Sequence, residues 1–320
     1  MNRANGTGSG TPSAMQGKCR ACGRARAAAS GGMRLRHLAP LLLLLAAAPA
    51  PKPARPALWK LADKDTTIWL FGTIHVLPAG YAWRGQAIDL AIKGADSLTL
   101  ELVLDKDPER LGRLMLAMGR AKGLPLLAER VAPGKRAALA ALVKESGYEP
   151  AALDGLKTWA AAMVLTSVAL RRIDVGSAEG VEAQLTQAFR TAAKPVDGLE
   201  TAEQQLGFFD AMPEAAQRGF LQSTLDSPDR TRAEFRRLIS AWSKGNAGAL
   251  ERAFRSDPEF TPELRDALIA RRDRAWADAL VKRLERPGVQ FVAVGAGHLV
   301  GPDSVQRMLA AKGLQVTRVQ

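Results

Sequence analysis

The feature that most constrains the fold is a device the chain uses twice. "WLFGTIHVLP" spans residues 69–78, and "FVAVGAGHLV" spans residues 291–300 near the other end. Each is an apolar, strand-like run that breaks at a glycine and presents a histidine three residues later, His75 and His298. The chain has three histidines in all, so two of them share one setting. Apolar strands must be paired and covered, and strands at both ends of a helix-rich chain therefore imply one sheet assembled from both ends.

The intervening pattern fits that arrangement. "LWKLAD" and "TTIWLFGT" read as a hairpin, "RGQAIDLAIKGA" as a helix and "SLTLELVL" as a third strand. Residues 107–190 carry Ala, Leu, Lys, Arg and Glu at helical spacing, broken at Pro125, Pro133, Pro150 and Gly176. The charge-free stretch from Trp159 to Leu170 is too short to span a bilayer and reads as a buried helix. "KPVDGLE" reads as a strand, with Thr201 and Gln204 forming a capping box for the helix that follows. More helices fill 213–285, and "VQFVAVGAGH", a helix from Pro302 to Lys312 and "LQVTRV" close the chain. The expected class is α/β: a mixed central β-sheet built from the N- and C-terminal parts of the domain, with a large helical insertion in the middle.

Charge is unevenly placed. The formal net charge is +13, but residues 1–57 hold nine basic residues and no acidic ones, which leaves only +4 for the remainder. With just two tyrosines and no stacking platform along a basic groove, a nucleic-acid partner is not expected. Residues 1–32 read as a disordered or untranslated leader. Residues 33–56 read as a signal peptide and linker, because Met33, Arg34, Arg36 and His37 precede "LAPLLLLLAAAPA". Residues 57–320 form the expected folded domain. The protein is expected to be exported to the periplasm or beyond the cell, or held at the inner membrane by an uncleaved signal, with no other transmembrane helix. Both cysteines, Cys19 and Cys22, lie in the leader as "CRAC", so thiol catalysis is not expected.

"GAGHLVG" approaches a dinucleotide-binding fingerprint, yet only 19 residues follow Gly301, too few for the strand and distal acid that such a unit needs. P-loop, H-E-x-x-H and G-x-S-x-G patterns are absent. As strand ends, the two Gly-x-x-His turns instead place imidazoles where α/β sheets build sites, at the carboxyl edge. In "SLTLELV", Leu98, Leu100 and Leu102 alternate onto one face and leave Glu101 on the other, an acid near the end of an apolar strand. A charge there needs a partner. Two neutral imidazoles and a carboxylate suit a divalent transition metal with open positions for water and substrate. The alternatives are hydrogen-bonded structural histidines and a Glu101 paired with a lysine or arginine.

"LWKLADKDTTIWLFGTIHVLPAG", "LTLELV", "GLPL", "KPVDGLETAEQQLGFFD" and "VAVGAGHLVGPDSVQRMLAAKGLQVTRV" together resemble the TraB/GumN (PrgY) family, over residues 57–319. Animal members of that family include the Tiki proteases, and its fold is similar to that of erythromycin-esterase and ChaN-like proteins. The resemblance implies a metal-dependent peptidase site with two Gly-x-x-His motifs and a glutamate, which land on His75, His298 and Glu101. It also implies a late Arg-Asn pair. Here Arg272 is followed by Asp273, and Arg272 is read either as binding a substrate carboxylate or developing oxyanion or as part of a solvated helix face. Glu200 is read as supporting the site or as belonging to the strand-to-helix cap. Where the family shows Gly-hydrophobic-Asp, this chain has Gly180, Val181 and Glu182, which leaves the acid's role open.

The resulting expectation is a secreted or periplasmic metal-dependent hydrolase of peptidase type. His75 and His298 would hold Mn, Co or Zn, with Glu101 as third ligand or as base, and a peptide or small molecule would be the substrate. Two alternatives stay open: a haem- or metal-binding protein without catalysis, as in the ChaN-like relatives, and a metal-free esterase-like hydrolase with His75 as general base.

Overall fold

A computed structural model describes residues 54–103, 107–255 and 261–320. The leader, the signal segment with His37 and the Cys19–Cys22 pair lie outside the described residues. Within them the chain forms a six-stranded sheet. The strands are β1 (Leu58–Ala62), β2 (Thr66–Thr73), β3 (Ser97–Leu102), β4 (Val196–Glu200), β5 (Gly288–Gly295) and β6 (Val316–Arg318). Helix α1 (Gln86–Gly94) links β2 to β3. Helices α2 (Pro108–Gly119), α3 (Arg136–Ser146), α4 (Pro150–Asp154), α5 (Thr158–Arg171) and α6 (Val181–Thr191) precede β4. After β4 come α7 (Ala202–Asp210), α8 (Glu214–Ser223), α9 (Pro228–Ser243), α10 (Ala247–Arg255) and α11 (Pro262–Arg265). A π-helical turn (Asp266–Ala270) leads into α12 (Arg271–Arg283), and α13 (Val305–Ala311) lies between β5 and β6. No helix among the described residues is long and apolar enough to cross a membrane.

Strand order is β4-β3-β5-β2-β1-β6. The last long strand, β5, is inserted between β2 and β3 and runs parallel to both, while β4 is parallel to β3. Only β1 opposes this direction, pairing antiparallel with β2 and β6. The sheet is thus mixed and drawn from both ends of the chain, as expected from the sequence. Four parallel strands consequently end on one edge.

Burial follows the two-residue period of a strand. On one face, Phe71 of β2, Leu98 and Leu100 of β3, and Phe291 and Ala293 of β5 pack against Ile88 of α1, Phe189 of α6 and Trp242 of α9. On the other, Ile68 and Leu70 of β2 and Val292 and Val294 of β5 pack against Trp276 and Leu280 of α12 and Leu309 of α13. Central parallel strands are covered on both faces, and this is why "TIWLF" and "FVAV" read as nearly unbroken apolar runs. The inserted helices have their own core, in which Trp159, Ala160, Ala161 and Leu165 of α5 meet Leu139 and Leu142 of α3 and Leu221 of α8. The charge-free stretch is therefore a buried helix. The capping box is also present, with Thr201 accepting from Gln204 N and Gln204 accepting from Thr201 N.

The helix expected from Pro302 begins at Val305 instead. Gly301 has φ +82°, a left-handed turn that carries Pro302 and Asp303 outside the helix, and Ser304 becomes its N-cap.

Phe291 contacts Phe71 and Phe189 at ring-centroid distances of 5.8 and 6.3 Å and is wholly buried. Phe291→Ala is expected to cost about 3–5 kcal/mol, read as a lower urea midpoint with an unchanged slope.

Candidate functional site at the carboxyl edge of the sheet

The four parallel strands deliver their termini to one place. The end of β2 supplies Thr73 and, two residues on, His75; β3 supplies Glu101; β4 supplies Glu200; and β5 ends at Gly295, followed by a 3₁₀ turn (Ala296–Leu299) that carries His298. Helix α12, packed on one face of the sheet, adds Arg272, Asp273 and Trp276. These residues lie at the point where strand order reverses around β5, the usual position of a site in a parallel α/β sheet.

Gly295 marks where the three sequence-derived residues meet. A Cβ added there would stand 3.0 Å from Glu101 Oε1, 3.4 Å from His75 Nε2 and 3.5 Å from His298 Cδ2. The backbone of Gly295, at φ −50° and ψ 136°, suits any residue. Glycine is needed there for space. His298 Nε2 lies 3.6 Å from Glu101 Oε1.

Each imidazole is held from behind by a carboxylate. His75 Nδ1 is 2.6 Å from Glu182 Oε1, which also accepts from the Thr73 hydroxyl. His298 Nδ1 is 2.5 Å from Asp273 Oδ1. An ionised carboxylate only accepts, so each Nδ1 carries a proton; His75 turns Nε2 toward Gly295, while His298 brings Cδ2 closest to it and directs Nε2 at Glu101 Oε1 and Arg272 Nη1. The role left open for Glu182 is therefore filled despite the change from aspartate. It depends on Gly180, where a Cβ would collide with His75 O at 2.2 Å, and on the hydrogen bond from Val181 N to Ile74 O at 3.1 Å. Together these contacts seat α6 against the His75 loop.

Glu101 does pair with an arginine. Arg272 Nη2 donates to Glu101 Oε2 and Glu200 Oε2, each at 2.8 Å, and Nε donates to Glu200 Oε1 at 2.8 Å. Nη1 reaches Leu268 O at 3.1 Å and His298 Nε2 at 3.2 Å. All five N–H groups are thus engaged within the protein, and the side chain is only 8% exposed. Arg272 holds the acids and does not present donors outward, nor does it lie on a solvated helix face. Its guanidinium also stacks over Trp276 at 4.7 Å, and Trp276 Nε1 donates to Glu200 Oε1 at 2.9 Å. Glu200 therefore supports the site through Arg272.

Electrostatics follow from this packing. Burial alone would raise the pKa of Glu101, but the charges of His298, Arg272 and His75 and the Gly295 N–H lower it to about 2. Burial also opposes charge on His75, yet the hydrogen bond and charge of Glu182, with Glu101 beyond, raise its pKa to about 9, although the side chain is 65% exposed. Asp273 has no exposure, and burial pushes it up to about 6 against the pull of His298; its Oδ2 has no hydrogen-bond partner.

The sequence profile of the TraB/PrgY/gumN family matches residues 57–318. The chain belongs to this family. Within the TraB/PrgY/gumN family, it is 28% identical over 240 residues to YbaP of Escherichia coli (strain K12), described as uncharacterized, covering 75% of this chain and 86% of that protein. YbaP of Shigella flexneri gives the same figures. No solved structure matches the chain.

The donor chemistry fits a divalent transition metal. Two imidazoles with Nδ1 held by carboxylates, and a carboxylate oxygen beside them, are the kind of set that metal sites use. The set is not closed, since no group of three His, Cys, Asp or Glu side chains among the described residues stands at metal-holding spacing. His75 meets this space with Nε2 while its ring is 65% exposed and its Nδ1 is held by Glu182.

Glu101 generates a pH dependence of stability. Its folded pKa, about 2, lies below the ordinary 4.5. The contribution is complete above pH ~4.5 and is lost as pH falls through that window toward 2. Wild type is expected to lose about 3 kcal/mol between pH 5 and 2 from this group, and Glu101→Gln is expected to lack that part of the decline in urea titrations across the range.

Proposed function

We propose that this chain is a metal-dependent hydrolase of peptidase type, exported by the segment from Met33 to Ala47 and acting in the periplasm or outside the cell. One observation carries the reading: His75 Nε2, His298 and Glu101 Oε1 surround the same space at Gly295, and each imidazole is backed by a carboxylate. In this reading His75, His298 and Glu101 hold Mn, Co or Zn. A bound ion of this kind supplies a Lewis acid and a water of lowered pKa.

The chain's own groups divide the remaining work. Glu101, held ionised by Arg272 and the Gly295 N–H, serves as a fixed charge and ligand; with a pKa of about 2 it is a poor base near neutral pH. Glu182 and Asp273 hold a proton on each Nδ1 and fix the ring orientations; a metal at His75 Nε2 would have to displace the second proton that its pKa of about 9 keeps on the ring near neutral pH. Arg272 keeps two acids, Glu101 and Glu200, ionised side by side.

A specific contact favours a second reading, a metal-free hydrolase with His75, backed by Glu182, as general base, its pKa of about 9 placing that activity on the alkaline side. Arg272 Nη1 stands 3.2 Å from His298 Nε2, a cation already placed at that lone pair, and His75 alone is open to solvent.

The test is digestion of a peptide library by chelated protein with and without added Mn²⁺, Co²⁺ or Zn²⁺, alongside bound-metal analysis. Metal-restored turnover is expected for wild type. Folded His75→Ala, His298→Ala and Glu101→Gln are expected to lose both metal and turnover, and Glu182→Gln to weaken metal binding about 10- to 100-fold. Chelator-resistant turnover that survives His298→Ala and disappears in His75→Ala would establish the metal-free reading instead. A haem absorption band without any turnover would return the chain to the binding-protein alternative.

A further inference from the structure

A groove of about 1240 Å³ runs along α9, between α10 on one side and the ends of α5 and α8 on the other. Its floor is apolar, built from Leu170, Ile173, Phe235, Leu238 and Phe254. Its walls carry six cations (Lys135, Arg230, Arg236, Arg237, Lys244, Arg252) against two carboxylates, Asp226 and Glu234. Both carboxylates are already neutralised within the protein. Asp226 pairs with Lys135 and Arg230, and Glu234 pairs with Arg230. Arg236, Arg237, Lys244 and Arg252 make no ion pair among the described residues and are exposed. Among the described residues, these four exposed cations stand over the apolar floor without an acidic partner.

The groove is tied to both histidine turns. Phe254 lies 3.5 Å from the position of a Cβ on Gly297, the residue before His298. At the α5 end, Ile173 is three residues before Gly176, whose backbone exchanges hydrogen bonds with Leu77, two residues beyond His75. Trp242 of α9 donates to Gly72 O at 2.8 Å, just before the His75 loop. The Phe254 end of the groove thus stands against the turn that carries His298, at the carboxyl edge of the sheet.

We propose that this groove binds an acidic peptide segment with apolar side chains, alongside the histidine site, and so selects the substrate. The occupant's chemistry follows from complementarity: carboxylates for Arg236, Arg237, Lys244 and Arg252, and leucine- or phenylalanine-like side chains for the floor. As a substrate assignment it rests on the peptidase reading. As a binding site it does not.

The experiment uses the full chain carrying His75→Ala, so that no turnover is required, and reads fluorescence anisotropy of a fluorescein-labelled twelve-residue Glu/Leu peptide. Salt-sensitive binding is expected, with a Lys/Leu peptide of equal length at least tenfold weaker. Arg236→Ala, Arg237→Ala and Arg252→Ala combined, confirmed folded by circular dichroism, are expected to weaken the Glu/Leu peptide about tenfold. Should the triple variant not fold, Arg252→Ala and Lys244→Ala taken singly are each expected to cost about twofold. Equal binding of the two peptides, or unchanged binding in the variants, would overturn the proposal. So would capture by phosphatidylglycerol vesicles that depends on these cations while the Glu/Leu peptide stays unbound. A catalytically inert wild type that still binds the Glu/Leu peptide in this pattern would remove the peptidase reading and leave the groove assignment standing.

Discussion

Two carboxylates, Glu101 and Glu200, are buried at one edge of the sheet, and a single guanidinium makes that arrangement tolerable. Desolvating an ionised acid costs several kcal/mol unless a well-placed partner restores what water supplied. Arg272 does so for both at once, with Nη2 shared between them and Nε directed to Glu200, while Trp276 covers its face. Losing such a partner from a buried pair typically costs about 3–5 kcal/mol, because the remaining charge is stranded. The position of Glu101, and with it the shape of the site, depends on an arginine 171 residues further along the chain.

The arginine reaches the acids only because of topology. Inserting β5 between β2 and β3 places the ends of three parallel strands side by side, and α12, which leads into β5, packs on the sheet face with its first turn beside that edge. The histidines arrive by the turn that follows each strand. Their aim is set by carboxylates from other elements, Glu182 at the start of α6 and Asp273 in α12. Every member of the cluster is thus fixed by at least one group from elsewhere in the chain, and the π-helical turn before α12 also contributes, since Leu268 O accepts from Arg272.

The parts of this arrangement that were legible in the sequence are those with a local signature. A glycine and a histidine after an apolar run, or a glutamate interrupting one, report a strand end with chemistry on it, and His75, His298 and Glu101 are readable for that reason. Strand identity was readable too, because central parallel strands are apolar on both faces. The order of the strands was not, since an apolar run says that a strand is covered but not which neighbours it pairs with. Asp273 and Glu182 were named in the sequence, but their pairing with the histidines was not legible for the same physical reason. Their partners lie 25 and 107 residues away, and no periodicity encodes such a contact. The spacing of Arg272 and Trp276, four apart on one helix face, was the available hint that both point at the sheet.

Two distant histidine turns and one glutamate share the space at Gly295. Gly295→Ala tests this most directly, because the backbone there accepts alanine while the added methyl would occupy the space between the three side chains. The measurement is calorimetric titration of Mn²⁺ or Zn²⁺ into the folded variant and into wild type. A native circular dichroism spectrum with affinity reduced at least tenfold is expected. Wild-type affinity in the folded variant would show that a metal is held elsewhere, and that the convergence at Gly295 is structural only.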